Sequence, residues 1–309
     1  MKQRIFTLQQ IYKEGASRLQ EAGIEEYSLD AWYLLEYVTG ISRASYYGDP
    51  GREVEEEQAK KYLESIQVRS RRIPLQHITG EQEFMGYPFY VNEHVLIPRQ
   101  DTEVLVEEAV KIIRKKACET SSENCVAGSS RSDKRSEKIL DMCTGSGCII
   151  LSILKMCPGV NGTGCDISEE ALEVAERNAQ RLGVEAGFVR SDLFEAWEHE
   201  DGLKDKYDVI VSNPPYIRTA VIEELQEEVR LHDPRLALDG REDGLYFYRR
   251  IVENSIRYIE DGGYLMFEIG HDQGKDVSEM MDRYGYRDIT IKKDLAGLDR
   301  VVLGMYNKR

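Results

Sequence analysis

The chain has 309 residues, of which 41% are hydrophobic and 31% charged, and its formal net charge is −15. This length suits one full domain plus a smaller one, and no run of apolar residues is long enough to span a membrane. The negative charge disfavours stable, phosphate-driven binding of nucleic acid. The amino terminus also lacks the apolar core of a signal peptide, so we expect a cytoplasmic monomer without membrane contact.

Residues 1–72 are predicted to form a small helical domain. Thr7 and Ser28 are of the type that caps a helix, because their hydroxyls accept a hydrogen bond from the first turn. The predicted helices cover residues 8–19, 29–38 and about 53–70. Their apolar residues recur at helical spacing, so we expect the apolar faces to pack together.

The next segment, residues 73–98, is predicted to be a β-hairpin linker, because apolar residues alternate around glycines and prolines. Asp101 or Thr102 can then cap a helix that continues to about residue 116. Residues 117–137 are polar, rich in serine and without periodicity, which predicts an exposed, mobile loop.

From residue 139 onward, strands alternate with helices, which is the pattern of a parallel sheet. Four strands are expected up to residue 211, a fifth follows at 263–270, and two further strands at 287–292 and 300–306 form an antiparallel edge hairpin. The predicted fold class is therefore α/β, with a seven-stranded, mostly parallel sheet.

Three strand ends carry residues typical of a nucleoside site. The turn after the first strand consists of small residues that let a ligand approach the backbone and the next helix; these are Cys143, Thr144, Gly145, Ser146 and Gly147. Asp166 follows the second strand, where an acid can accept both ribose hydroxyls, and Leu193 follows the third, where it can cover an adenine. The glycine spacing departs from G-x-G-x-x-G, which favours S-adenosylmethionine over a dinucleotide.

The fourth strand runs into Ser212-Asn213-Pro214-Pro215-Tyr216. Two consecutive prolines donate no backbone hydrogen, so the strand must stop at Asn213, at the edge where open α/β sheets bind ligands. The Asn213 amide, the carbonyls held by Pro214 and Pro215, and the ring of Tyr216 would form rigid acceptors beside a stacking face. This arrangement suits a planar NH2 group. A plain strand end with a proline turn is the alternative interpretation.

At this point the chain resembles a known family, the peptide chain release factor glutamine methyltransferases (the PrmC/HemK family). The resemblance covers almost the whole chain, including the helical amino-terminal segment. The motifs that carry it are Pro74-Leu75-Gln76-x-Ile78-x-Gly80, Leu96-Ile97-Pro98-Arg99-x-Asp101-Thr102-Glu103, Asp141-x-x-Thr144-Gly145-Ser146-Gly147, Asn213-Pro214-Pro215-Tyr216-Ile217 and Asp233-Pro234-x-x-Ala237-Leu238. The Asn-Pro-Pro-Tyr motif alone is shared with enzymes that methylate adenine and guanine amino groups.

The resemblance implies a Rossmann-like, S-adenosylmethionine-dependent methyltransferase domain over residues 99–309. It implies methylation of the side-chain amide nitrogen of the glutamine in the Gly-Gly-Gln motif of class 1 release factors, with the helical domain helping to dock the factor. By position, residues 143–147 would line the methionine end of the cofactor, Asp166 the ribose and Leu193 the adenine. Residues 213–216 would bind the substrate glutamine, and Asn213 would also border the cofactor.

Two departures from the family matter. Cys143 stands where the family commonly has glycine, and Gln100 where it has proline. The Cys143 side chain would crowd the cofactor unless its backbone φ is negative.

The chemistry expected of such a site needs no metal ion and no extra nucleophile. An amide nitrogen is a poor nucleophile, so the Asn213 oxygen and the Pro214 carbonyl would have to hold and orient it. Glu268, near the end of the fifth strand, and His271, just past it, are therefore interpreted as structural.

Three other functions stay open on the sequence. The first is an enzyme acting on an exocyclic amine of a nucleic-acid base, disfavoured by the charge and the lack of a dense basic stretch. The second is an inactive, cofactor-binding partner of the translation machinery, disfavoured by the intact Asn-Pro-Pro-Tyr motif. The third is a nicotinamide oxidoreductase, disfavoured by the glycine spacing.

Overall fold

The computed structural model describes residues 6–123, 136–198 and 206–308. The chain divides into two compact units, described separately below. The helical unit comprises Met1–Glu81 and Gln226–His232, and the sheet unit comprises Gln82–Leu225 and Asp233–Arg309. Within the described ranges, no helix combines the length and the apolar character needed to cross a membrane.

In its described residues, the helical unit contains six helices and one short strand pair. Its first segment holds β1 (Phe6–Thr7), α1 (Leu8–Glu21), α2 (Tyr27–Thr39), α3 (Arg43–Gly48), β2 (Glu53–Val54), α4 (Glu56–Arg69) and α5 (Leu75–Thr79), and its second segment holds the helix Glu227–His232, labelled α10 below. Strands β1 and β2 pair antiparallel. The predicted helices are present, but Glu53 begins a strand rather than the third helix, and α3 was not predicted.

Local sequence explains how these helices begin and pack. Thr7 caps α1 through a capping box with Gln10, as predicted, whereas α2 begins one residue before Ser28 and has Glu26 at its cap position. Gly15 has room for no side chain, because a Cβ there would lie 2.0 Å from the Tyr62 hydroxyl oxygen. Tyr62 is fully buried, so α1 and α4 approach closely at this glycine.

The predicted hairpin is present but shorter than expected. Strands β3 (Glu81–Phe84) and β4 (Tyr87–Tyr90) form a two-stranded sheet. The hairpin does not extend over the first part of 73–98, because residues 75–79 form α5, which begins after Pro74 and ends at Gly80 in the left-handed conformation. Proline before the first turn and glycine at the end are helix boundary signals, and they outweighed the alternation of apolar residues.

The remaining elements follow in chain order. They are α6 (Glu103–Glu123), β5 (Lys138–Met142), α7 (Cys148–Met156), β6 (Asn161–Asp166), α8 (Glu169–Leu182), β7 (Gly187–Arg190), α9 (Glu195–Glu198), β8 (Tyr207–Ser212), α10 (Glu227–His232), α11 (Arg235–Leu238), α12 (Tyr246–Ser255), β9 (Ile259–Glu268), α13 (Gly274–Arg283), β10 (Tyr286–Lys293) and β11 (Asp299–Tyr306). Helix α6 continues to Glu123, so the loop predicted at 117–137 is wrong for its first seven residues. Residues 124–135 of that predicted loop lie outside the described residues.

The seven-stranded sheet is confirmed, with the order β10-β11-β9-β8-β5-β6-β7. Strands β5 to β9 pair in parallel, and β11 pairs antiparallel with both β9 and β10. The edge hairpin is also present. Its second strand, β11, lies inside the sheet, so β10 forms the edge.

Helices cover both faces of this sheet because successive strand residues point to opposite sides. In β5, Ile139 packs into the core that includes α6 and α7, whereas Leu140 packs into the core beneath α12 and α13. Met142 aligns with Cys165 and with Ser212 across the neighbouring strands. The carboxyl ends of β5, β6 and β8 therefore lie side by side, and the loops that follow them meet at one edge.

Candidate functional site

A cavity of about 380 Å³ lies at this carboxyl edge, within the sheet unit. Its volume is in the range of small-molecule sites. Of the eleven site residues predicted from the sequence, eight line this cavity: Cys143, Thr144, Gly145, Ser146, Asp166, Leu193, Asn213 and Pro215. The other three, Gly147, Pro214 and Tyr216, are not among the lining residues.

The turn after β5 exposes its backbone to the cavity. Cys143, Gly145 and Gly147 all have positive φ, at 60°, 54° and 77°. A Cβ added at Gly145 would meet no atom within 4 Å, so a ligand can approach the main chain there. At Gly147 a Cβ would lie 3.1 Å from Leu151 and 3.2 Å from Ala175, so this glycine serves the packing of α7 instead.

Cys143 adopts the conformation that the sequence analysis identified as unfavourable. Its φ of 60° lies in the left-handed region, which a residue with a side chain adopts at a cost of about 1–2 kcal/mol. The thiol borders the cavity, and burial raises its pKa well above the ordinary value. Because the thiolate is the nucleophilic form of cysteine, this raised pKa lowers the reactivity of the side chain.

The buried carboxyl of Asp141 holds the turn after β5 in place. The Thr144 hydroxyl donates to Asp141 Oδ2 at 2.6 Å, and the Thr144 N–H donates to the carbonyl of Cys165 at 2.9 Å. Asp141 is completely buried, and this burial raises the pKa of its carboxyl to about 7. The carboxyl therefore fixes the turn without carrying a full charge at neutral pH.

Asp166 connects the first two strand ends. Its Oδ2 accepts from the Gly145 N–H at 2.9 Å and its Oδ1 from the Ser168 N–H at 3.0 Å. Burial raises the pKa of this carboxyl, and the backbone donors act in the opposite direction. Each carboxylate oxygen has two lone pairs, so both oxygens can still accept a hydroxyl from a ligand in the cavity.

Asn213 reaches the cavity from the end of β8. Its Nδ2 donates to Thr102 Oγ1 at 3.4 Å, a long hydrogen bond. Tyr216 points elsewhere: its hydroxyl donates to Glu268 Oε1 at 3.4 Å, and its carbonyl accepts from Gln273 Nε2 at 3.0 Å. The stacking face predicted from Tyr216 is therefore not at the cavity wall, because this side chain packs into the core beside β9.

Comparison with known proteins places the chain in a family. Relatives named "Release factor glutamine methyltransferase" include one from Caulobacter vibrioides, 38% identical over 97% of both chains, and one from Geobacter sulfurreducens, 37% identical over 98% of both. The chain belongs to the release factor glutamine methyltransferase family. Its residues 10–80 match the model of the PrmC N-terminal domain, and residues 129–231 match the model of the methyltransferase small domain.

A distant solved structure has the same fold. The catalytic domain of human Mettl16, solved with an RNA hairpin, is 13% identical and superposes with a TM-score of 0.51 over 84% of this chain and 86% of its own. The predicted Rossmann-like methyltransferase fold is confirmed by these matches. As a member of the family, the protein is a methyltransferase with S-adenosylmethionine as its methyl donor.

The cavity fits this donor on two independent observations. The open backbone at Gly145 leaves space for a ligand to lie against the turn. The Asp166 carboxylate lies next to this turn, because its Oδ2 accepts from the Gly145 N–H, and its oxygens can still accept from a ligand. Three of the predicted site residues, Gly147, Pro214 and Tyr216, are not at the cavity wall.

Several residues of this methyltransferase site carried no role in the sequence analysis. Arg99 Nη2 donates to Asp233 Oδ2 at 2.7 Å, with Asp233 buried, so the bond joins two motifs that lie far apart in sequence. Thr102 and Glu268 flank Asn213 and Tyr216. The signal that could have identified Arg99, Thr102 and Asp233 was their presence in the motifs of the resemblance, whereas Glu268 was noticed and interpreted as structural.

Proposed function

We propose that the protein transfers a methyl group to the side-chain amide nitrogen of the glutamine in the Gly-Gly-Gln motif of class 1 release factors. The observation that carries the proposal is the position of Asn213, which lies on the same cavity wall as the glycine-rich turn and Asp166. A ligand held by the turn would therefore be adjacent to the amide. The names of the relatives, at 37–38% identity over nearly the full chain, support glutamine as the methylated residue.

The task of the protein is to make a poor nucleophile react. The lone pair of an amide nitrogen is delocalised into its carbonyl, and no ordinary side chain removes its proton at neutral pH. We assign the Asn213 side-chain oxygen and the Pro214 carbonyl as acceptors for the substrate NH2 group. Acceptors held in place before the reaction stabilise positive charge that develops on the nitrogen and orient its lone pair. When bound, S-adenosylmethionine supplies an electrophilic methyl group on a positively charged sulfur.

The cofactor contacts follow from the cavity wall. Cys143, Thr144, Gly145 and Ser146 would lie along the methionine end, with Gly147 holding the helix behind them. Asp166 would accept the ribose hydroxyls through the lone pairs that its two backbone N–H partners leave unused. Leu193, which is 5% exposed and lies on the cavity wall, would contact the adenine. Pro215 would close the wall beside Asn213 and exclude water.

The substitution Asn213→Ala tests the central assignment. We expect the rate constant kcat to fall about 10²–10³-fold, which is typical of losing one preorganised polar group, because the contact strengthens as the substrate amide loses its resonance. Peptide mass spectrometry of a purified release factor, after incubation with S-adenosylmethionine, would locate the added methyl group. Calorimetry would show whether cofactor affinity is retained. Unchanged turnover in the variant would mean that Asn213 only ends the strand.

We also propose that the helical unit docks the release factor. Three of its tyrosines are exposed, Tyr33 (44%) and Tyr37 (55%) on α2 and Tyr47 (77%) on α3. Tyr33 and Tyr37 are four residues apart, so they share one helix face. Exposed aromatic side chains are enriched in protein interfaces.

Substituting Tyr37 and Tyr47 together by serine tests this docking role. We expect KM for the intact release factor to rise about tenfold, while methylation of a short Gly-Gly-Gln peptide and cofactor affinity stay unchanged. Tyr284→Ser, at an exposed position of the sheet unit (37%), is the matched control. Equal KM values for the double variant and this control would contradict docking through these tyrosines.

A further inference from the structure

We propose that Thr102 is a positioning residue that fixes which end of the Asn213 amide faces the cavity, and that the buried carboxyl of Glu268 holds Thr102 in turn. The catalytic part of this inference rests on the proposed function. Its structural part concerns the orientation of one side chain and can be tested without any methyl transfer.

The hydrogen bond between Asn213 and Thr102 has a defined direction. Asn213 Nδ2 donates to Thr102 Oγ1 at 3.4 Å, so the Thr102 hydroxyl acts as an acceptor in this contact. A threonine hydroxyl has one proton of its own, which is then free to be donated elsewhere. Thr102 borders the cavity but is only 3% exposed, so we assign a buried protein acceptor as the partner for this proton.

Glu268 provides that partner. Its carboxyl is 2% exposed, and burial raises its pKa, while the neighbouring Thr102 hydroxyl acts in the opposite direction. Its Oε1 accepts from Tyr216, whereas Oε2 is buried and has no hydrogen-bond partner among residues 6–123, 136–198 and 206–308. A buried acceptor without a donor is costly, so we infer that the Thr102 proton points toward this oxygen, where it would satisfy both groups.

The inferred arrangement is a chain of donors, in which Asn213 donates to Thr102 and Thr102 would donate to Glu268. The same carboxyl also accepts from Tyr216, so both ends of the Asn213-Pro214-Pro215-Tyr216 segment would be held through Glu268. Arg300 lies beside this group and bonds Asp101 at 3.1 Å and Asp294 at 3.0 Å, which fixes the turn that carries Thr102.

The consequence concerns the two ends of an amide, which have similar shapes but opposite hydrogen-bonding character. With its NH2 group bonded to Thr102, Asn213 has its oxygen available to the cavity. That oxygen can accept from the NH2 group of a substrate glutamine. In the flipped orientation, two NH2 groups would face each other and neither could accept. Thr102 therefore selects the orientation of Asn213 that can bind the substrate.

The first test replaces Thr102 by valine, which keeps the shape and removes the hydroxyl. We expect kcat to fall about tenfold, corresponding to one lost hydrogen bond, with cofactor affinity retained. Thr102→Ser should recover most of the loss. Thr290→Val, at an exposed position of the edge strand β10, is the matched control for removing a threonine hydroxyl. A Thr102→Val enzyme as active as this control would overturn the catalytic part of the inference.

A double variant separates positioning from a direct role. If Thr102 acts only through Asn213, adding Thr102→Val to Asn213→Ala should cause no further loss of kcat. Losses that multiply would show that Thr102 acts independently of Asn213, which would overturn the proposal.

The second readout does not depend on activity. The chain contains seven asparagines, so selective ¹⁵N-asparagine labelling gives few side-chain NH2 signals, and Asn213→Ala identifies the one that belongs to Asn213. We expect this signal to move in Thr102→Val and return in Thr102→Ser. A signal unmoved by Thr102→Val would overturn the proposed orientation. If the signal moves but the parent protein does not methylate a release factor, the proposed function fails while the orientation stands.

Discussion

Replacing Glu268 by glutamine should change how the stability of the protein depends on pH. Burial raises the pKa of the Glu268 carboxyl to about 7, although the Thr102 hydroxyl and the Arg300 guanidinium act in the opposite direction. In the unfolded chain, the carboxyl returns to its ordinary pKa of 4.5. Between these values, the folded protein keeps a proton that the unfolded chain has lost. The free energy of unfolding therefore falls as the pH rises through this range.

The size of the effect follows from the length of this range. One pKa unit corresponds to about 1.4 kcal/mol, so a rise from about pH 5.5 to 7 removes about 2 kcal/mol, and a further rise to about pH 8 removes little more. Glutamine has no proton to lose here, so this contribution is absent from the variant. Asp141, whose pKa is also about 7, titrates in both proteins and cancels from the comparison.

The measurement is urea unfolding of the parent and Glu268→Gln at the two ends of this range. We subtract the free energy of unfolding of the parent from that of the variant. We expect this difference to be about 2 kcal/mol more favourable to the variant at about pH 8 than at about pH 5.5. Glu253→Gln, at an exposed position of α12, controls for the loss of one carboxyl. A difference between parent and Glu268→Gln that stays constant with pH would show that Glu268 keeps one charge state, which would refute the argument from burial.

Two further predictions concern the cavity wall. Asp166→Ala should weaken S-adenosylmethionine binding by about 1–3 kcal/mol, because a charged acceptor is lost; calorimetry showing unchanged affinity would remove Asp166 from the site. Cys143→Val should lower the free energy of unfolding by about 1–3 kcal/mol, because a β-branched residue fits a positive φ poorly, whereas Cys143→Gly should relieve the backbone strain. Equal thermal unfolding of the two variants would contradict strain at this position.

The sheet was predictable because each of its strands is marked by local residues. Apolar runs mark β5, β8 and β9, and the proline pair fixes where β8 ends. Strand β6, with the sequence Asn-Gly-Thr-Gly-Cys-Asp, has no such run and was recognised by the acid at its end. The carboxyl edge follows from the parallel pairing, so Thr144, Asp166 and Asn213 could be placed near one another before the structure was known. The position of the final strand was less accessible, because a hairpin at a sheet edge can insert either of its two strands next to β9.

Side-chain direction was the part that sequence could not supply. Tyr216 lies three residues after Asn213, and the Asn-Pro-Pro-Tyr sequence alone predicted that its ring lies beside the substrate. In the structure, the ring packs in the core and its hydroxyl reaches Glu268. Glu268 itself looked like an ordinary strand end, since its significance depends on contacts with Thr102 and Tyr216, which lie 166 and 52 positions away in the chain.

The two buried carboxyls show how the site is held rigid. Asp141 is the last residue but one of β5, and Glu268 is the last residue of β9. These strands lie on either side of β8, which Asn213 directly follows. Each of these two carboxyls lies beside a threonine hydroxyl of a site loop, Asp141 bonding Thr144 and Glu268 contacting Thr102, and burial raises the pKa of each carboxyl to about 7. Burying a carboxyl is unfavourable, so these groups destabilise the fold at neutral pH. Such a cost is expected at a site whose hydrogen-bond acceptors must be held rigidly. A substrate amide nitrogen reacts only if the acceptors that orient it are already in place.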